Sequence, residues 1–369
     1  MKIGIDARFI GPEGTGLSTY TQNLIENLQK IDNKNHYSIF LQKNSWQYLK
    51  ITNKNFTKVL ADVSWYSLSE QIKMPQIFKS QNLDLLHIPH FNVPILYRGK
   101  FIVTIHDLIH HHFPQTASTT TNLALFKLKR LSYHLIFKSA ISRSAKIITP
   151  SKFVKEDLIT TFKVDPSKIA VTYEAAEGVF FQKTHHSPLT THHYLIYVGN
   201  AYPHKNLNPL LDAIKILTIN NKLLTINLIL VCPRDVFFDR LKKEIEKKGL
   251  GKKIELKRYL KAQDLKKIFQ KATAYVSPSL SEGFGIPGLN AMASNIPVIC
   301  SDIPTFREVY GYAAIYFNPK DPNDIAQKIK KVLKDVKLRS DLADKGDEQV
   351  KKYSWLKMAK QTLSIYESV

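Results

Sequence analysis

Short runs of apolar and β-branched residues alternate with helix-length stretches along nearly the whole chain, and this alternation constrains the fold more than any other feature. The runs fall at residues 2–9, 37–41, 57–61, 83–88, 101–106, 146–149 and 169–173, and again at 194–199, 226–232, 253–259, 273–277, 297–300 and 314–317. Strands that rejoin a sheet in parallel need crossovers of a dozen or more residues, which helices supply. The pattern therefore predicts an α/β protein with two doubly wound, Rossmann-like sheets in tandem. Between the two sets lies 182–193, a polar stretch with Pro188 and no apolar periodicity, which reads as a linker. The expected domains are 1–185 and 186–350, with a last helical segment in 351–369 returning to the first domain. Ligands of open α/β sheets bind beyond the carboxyl ends of strands, so the site is expected in a central cleft that both domains face.

No apolar run approaches the ~18 residues of a membrane-spanning helix. Asp6 and Arg8 interrupt any signal-peptide core, so a cytoplasmic location is expected. Cys232 and Cys300 each end an apolar run and read as reduced, buried thiols. Lys and Arg number 53 against 31 Asp and Glu, a net +22, which points to anionic partners. From 108 to 155 there is no acidic residue, while Lys127, Lys129, Arg130, Lys138, Arg143, Lys146, Lys152 and Lys155 all fall there.

The most specific stretch is 277–293. It leaves an apolar run, passes Glu282, Gly283, Phe284 and Gly285, and opens into a helix near Ile286. Such a loop lets backbone approach a ligand and turns helix-start N–H groups toward a phosphate. A plain glycine turn between strand and helix explains the glycines equally well.

With 282–293 and the following 297–299, the chain resembles the GT-B glycosyltransferases of family four, also called group 1. The stretches 4–8, 11–16, 104–107, 150–153, 197–199, 205–207 and 307–309 fall in that family's order, and 4–8 with 173–176 resemble its mannosyltransferases. The resemblance implies the GT-B fold and roles residue by residue. Lys205 would hold the donor diphosphate, Glu282 the donor sugar hydroxyls, and His106 would stand beside that sugar, these three being the catalytic set. Gly14, Gly16, Tyr259, Gly283, Phe284, Gly285, Ile286 and Asn290 would contact the donor, and Arg8 the acceptor. No cofactor and no metal are implied beyond a GDP- or UDP-linked sugar as co-substrate. The triplet His110, His111 and His112 after His106 reads as a loop ahead of Pro114 rather than a metal site.

The chain departs from the family pattern at two places. Where the family has a second motif glutamate accepting from the nucleotide ribose, this chain has Asn290, so Asn290→Glu is expected to tighten nucleotide binding by ~1 kcal/mol. Where the family places an arginine beside the diphosphate lysine, this chain has Asn200 and His204, and a charged His204 is expected to help. In 122–141, Lys127, Arg130, His134 and Lys138 form a basic stripe, while Leu128, Leu131, Leu135 and Ile136 form an apolar one expected to pack on its own domain. The basic stripe, chiefly Lys127, Arg130 and Lys138, is then free for an anionic membrane surface.

The expected activity is retaining, metal-independent transfer of a hexosyl unit, by resemblance mannosyl, from a nucleotide sugar to a glycan or lipid-linked glycan hydroxyl. It would take place in polysaccharide biosynthesis at the inner face of a membrane. A weakened GT-B protein acting as a binding subunit is the alternative that Asn290, Asn200 and His204 suggest. Charge alone suggests a nucleic-acid-binding protein, but no helix-turn-helix, aromatic RNA-binding strand or zinc-finger spacing accompanies it.

Overall fold

The computed structural model describes residues 1–11, 16–114, 123–181, 193–220, 226–233 and 235–369. It forms two compact units, Met1–Leu108 with Thr120–Glu174 and Ser354–Val369, and Ile109–Thr119 with Ala175–Tyr353.

In the first unit, β1 (Lys2–Asp6), β2 (His36–Leu41), β3 (Phe56–Leu60), β4 (Leu85–Ile88), β5 (Phe101–Thr104), β6 (Ile147–Thr149) and β7 (Ile169–Val171) make one sheet in the order β3-β2-β1-β4-β5-β6-β7. In the second, β8 (His193–Val198), β9 (Ile226–Val231), β10 (Ile254–Lys257), β11 (Ala274–Ser277), β12 (Val298–Ser301) and β13 (Ala314–Phe317) are ordered β10-β9-β8-β11-β12-β13. Every adjacent pair is parallel. Each apolar run in the sequence thus became a strand. Parallel strands have helices on both faces, so their burial is continuous rather than alternating. β4, β5, β11 and β12 are buried at every residue.

The strand order reverses direction between β1 and β4 in the first unit and between β8 and β11 in the second. A crevice opens at such a point because the helices that follow the two neighbouring strands go to opposite faces. The core of the second unit joins Leu195, Leu228, Leu230, Val276 and Ile299 of its sheet to helix residues such as Leu210, Ile214, Ile325 and Ile329. The helix Trp355–Glu367 packs against Gly16–Ile31 in the first unit, where Tyr366 Oη lies 2.7 Å from the buried His87 Nδ1. Both cysteines are buried and unbridged, and burial, then Asp235, pushes the Cys232 thiol up to about 12. Among the described residues no helix is long and apolar enough to cross a membrane. The stretch expected as a linker lies outside the described residues except for His193, the first residue of β8.

Candidate active site

At the reversal point of the second unit, the chain leaving β8 and the chain leaving β11 are tied together. Leu280 N–H donates to His204 O at 2.8 Å, and Asn206 Nδ2 donates to Pro278 O at 3.0 Å and Pro319 O at 2.7 Å. Asn206 adopts a left-handed conformation (φ 57°), which a short amide side chain tolerates. These ties present Lys205 to Glu282, with Nζ donating to Oε1 at 2.6 Å, while Ser279 Oγ donates to the same oxygen at 2.7 Å. Among the described residues, no hydrogen bond reaches Glu282 Oε2. Thr305 Oγ1 donates to the Glu282 carbonyl at 2.7 Å, fixing the backbone on which the carboxylate stands. The pair is about one-sixth exposed, with 16% of the lysine and 15% of the glutamate side chain open to solvent. A ligand can reach it.

Glycine is required at the turn into the helix Ile286–Ala293. Gly285 has φ 103°, and a Cβ there would lie 2.3 Å from Tyr310 Oη, which donates to the Gly285 carbonyl at 2.6 Å. At Gly288 a Cβ would again lie 2.3 Å from the same hydroxyl. This packing accounts for glycine at 285 and 288; of the first helical residues, Pro287 has no N–H and Gly288 N–H donates to the Gly285 carbonyl at 3.1 Å, so Ile286 supplies the N–H group of the helix start. Phe284 is buried with its ring 5.5 Å from that of Tyr353, so its side chain belongs to the core and only its backbone can face a ligand. Tyr259 lies beyond β10, two strands from β8, and is 38% exposed.

Asn290 differs in setting from what its place in the motif suggests. It is 3% exposed, its Oδ1 accepts from Glu177 N–H at 2.9 Å, and its Nδ2 donates to Glu177 Oε1 at 3.0 Å. Burial raises the Glu177 carboxyl, and the Asn290 amide opposes that rise. A carboxylate at 290 would therefore face another at about 3 Å. Asn290→Glu is expected to cost about 2 kcal/mol, or roughly 4–8 °C in melting midpoint for a unit of this size, instead of tightening nucleotide binding. Both carboxyls would titrate above their unfolded values, so the folded form would hold the extra proton. The loss should grow as pH rises through the pair's titration and vanish below the ordinary carboxylate range. Thermal melts at pH 4.5 and 8 check this; equal midpoints for variant and parent at pH 8 would overturn it.

His204 is likewise not the cation expected. It is buried, and burial first, then Lys205 and His110, push it down to about 2, so it is neutral. Its Nδ1 and the Oδ1 of Asn200 are buried without a hydrogen-bond partner among the described residues.

In the first unit, His106 stands two residues beyond β5. Its Nδ1 is 3.1 Å from Glu174 Oε1 and its Nε2 is 3.1 Å from Pro89 O, with the Tyr20 ring edge-on at 4.7 Å. A carbonyl can only accept, so Nε2 carries a proton. Glu174, 5% exposed, fixes the ring's other side. It lies in 173–176, a stretch noted in the sequence for its resemblance alone.

Arg8 is 1% exposed. Its Nε and one terminal nitrogen grip both oxygens of Asp6 at 2.8 and 2.7 Å, and it also donates to Glu70 Oε1 at 2.7 Å and Val63 O at 3.1 Å. These bonds use four of the five guanidinium N–H groups, and at 1% exposure the side chain is closed to an acceptor sugar. Gly16 opens the helix Gly16–Ile31 with clear space around it, while Gly14 lies outside the described residues.

Two Rossmann-like parallel-sheet units, the second with a lysine and a glutamate paired at its strand-order reversal, define a protein of the GT-B class. The comparisons narrow the class. A family model described as glycosyltransferase family 4 matches residues 14–175, and one described as glycosyl transferases group 1 matches 181–349. The chain belongs to this glycosyltransferase family. It is 29% identical to the O-antigen chain mannosyltransferase RfbU of Salmonella typhimurium, over 88% of each chain. It is 30% identical to the O-antigen chain mannosyltransferase B of Escherichia coli, over 61% of each chain. Among solved structures, Alr3699/HepE of Anabaena, in complex with UDP and glucose, superposes with a TM-score of 0.76 over the full length of both chains at 15% identity, a likeness of fold.

Proposed function

We propose that this chain transfers a mannosyl unit from a nucleotide diphosphate sugar to a hydroxyl of a glycan or lipid-linked glycan, with retention and without a metal. The observation that carries the reading is the Lys205–Glu282 pair at the β8/β11 reversal, beside the start of the helix Ile286–Ala293. In the reaction the bond from the anomeric carbon to the diphosphate oxygen breaks, and one from that carbon to the acceptor oxygen forms. The acceptor's proton passes to the departing phosphate oxygen on the same face. Negative charge grows on the diphosphate, so groups preset around it lower the barrier more than they tighten ground-state binding. Lys205 and the Ile286 N–H at the helix start fill that role, Glu282 holds sugar hydroxyls through its unbonded oxygen, and His106, set by Glu174 and Pro89, stands against the donor sugar. With His204 neutral, Lys205 is the only side-chain cation of this loop.

Two relatives named as mannosyltransferases support the choice of sugar. A thermal-shift screen against GDP-mannose, UDP-glucose and ADP-glucose tests it. The cognate donor at a hundred times its dissociation constant should add about 2.7 kcal/mol to stability. A shift with UDP-glucose and none with GDP-mannose would overturn the mannosyl assignment, and no shift with any of them would overturn the donor site.

A further inference from the structure

Beside His106 the first unit buries a chain of polar side chains that the donor chemistry does not use. Tyr20, on the helix Gly16–Ile31, stands with its ring edge-on to His106 at an interplanar angle of 82°. Its hydroxyl lies 3.2 Å from Thr104 Oγ1, and the Thr172 and Thr362 side chains also face that hydroxyl. Thr104 Oγ1 is in turn 2.8 Å from His87 Nε2, and His87 Nδ1 is 2.7 Å from Tyr366 Oη. Tyr20, His87, Thr104, Thr362 and Tyr366 are all fully buried. Burial, then His106, pushes His87 down to about 3, so its ring is neutral and offers one donor and one acceptor. Both are used.

Packing the helix Trp355–Glu367 on Gly16–Ile31 does not require these polar groups, because apolar partners of the same shape would serve about as well. What hydrogen bonds add is direction. This set joins β4, the end of β5 and the last helix to the one tyrosine whose ring lies against His106. Glu174 and Pro89 O hold the two imidazole nitrogens, which still lets the ring tilt about the line joining them. A ring standing across it at 82° blocks that tilt. Edge-on contact at a centroid distance of 4.7 Å is also a favoured aromatic geometry.

We propose that Tyr20 is a positioning residue for His106, and that Tyr366 of the last helix holds Tyr20 in place through His87 and Thr104. The inference rests on the reading that His106 stands against the donor sugar. A small misplacement of a group facing the reacting centre can cost up to about a hundredfold in rate, so a tyrosine near the end of the chain acquires an effect on turnover without touching substrate.

Four variants of the full chain test this. Tyr20→Phe keeps the ring and removes its hydroxyl, Tyr366→Phe removes the far end of the network, Tyr20→Leu removes the ring, and His106→Ala removes the group being positioned. Sugar release from the donor selected by the thermal-shift screen, with water as acceptor, gives kcat, and calorimetry with the same donor gives Kd, both on protein shown by its melt to be folded. The two phenylalanine variants should lower kcat by about threefold to tenfold, and Tyr20→Leu by about tenfold to a hundredfold, with Kd within about twofold of the parent's. Combined with His106→Ala, none should lower kcat further, since residues that act through one another are not additive. A network that only packs the last helix would lower the melting midpoint and leave kcat parental in the folded protein. That result overturns the proposal, as does a loss carried wholly by Kd, or the same loss of kcat repeated without His106. Parental kcat in His106→Ala alone would instead remove His106 from the donor sugar, and the proposal falls with that reading.

Discussion

Lys205→Ala should lower turnover by ~100-fold or more while the protein stays folded, because the lysine is positioned to meet charge on a leaving diphosphate and contributes little to packing. Its side chain is 16% exposed, and its polar partner among the described residues is Glu282 at 2.6 Å. The charge it offsets grows as the bond to the anomeric carbon breaks, so kcat should fall more than the donor KM rises. The pairing raises a rival account, in which Lys205 only neutralises Glu282. A double variant, Lys205→Ala with Glu282→Gln, separates the two, since removing the carboxylate's charge would restore activity on the rival account. If Lys205 acts on the diphosphate, the double variant stays at or below the single one. Single-turnover assays with purified, folded variants decide this, and near-parental turnover of Lys205→Ala would remove the lysine from the mechanism.

The sheets and the loop that carries Lys205 and Glu282 were legible in sequence for a physical reason. A parallel strand buried on both faces is a continuous apolar run, and a strand-to-helix turn lying against Tyr310 admits only glycine at 285 and 288. Two of the misread features depend on pairings distant along the chain. Asn290 is separated from Glu177 by 113 residues and Arg8 from Glu70 by 62, so neither partner could be read from local spacing. His204 looked available as a cation because sequence does not report burial. The leucine stripe of the helix Leu123–Arg143 looked like core because periodicity identifies a face without identifying what covers it, yet Leu128, Leu131 and Leu135 are 61%, 58% and 56% exposed.

Arg8 gives the second large expected effect, on stability. The guanidinium is matched by two carboxylates as buried as itself, each ion pair at 2.7 Å with side chains 1% exposed. Burial alone would lower the arginine's pKa, but Asp6 and Glu70 more than reverse this, so it stays charged. Glu70 Oε2 also accepts from Tyr66 N–H at 2.8 Å and Asn92 Nδ2 at 2.7 Å, tying the strand end, a helix start and the 89–98 loop to one cluster. Arg8→Met fills similar volume but leaves two buried carboxylates facing each other, and breaking a buried pair in this way costs about 3–5 kcal/mol. In a unit of this size that is a fall of roughly 10 °C or more in melting midpoint. The pH dependence has a definite sign. Burial already raises the Glu70 carboxyl, with Arg8 opposing, and without the arginine both carboxyls titrate above their unfolded values. The folded variant then holds more protons than the unfolded chain, so its deficit is smallest at acid pH and widens as pH rises through that titration. Adding Asp6→Asn and Glu70→Gln to Arg8→Met removes the repulsion and should recover most of the loss. Denaturant melts at pH 5 and 8 measure these differences. An acceptor KM that stays at the parental value in the Arg8→Met protein, assayed cold where it remains folded, would mark the arginine as structural. A raised acceptor KM with an unchanged melt would return it to the acceptor site.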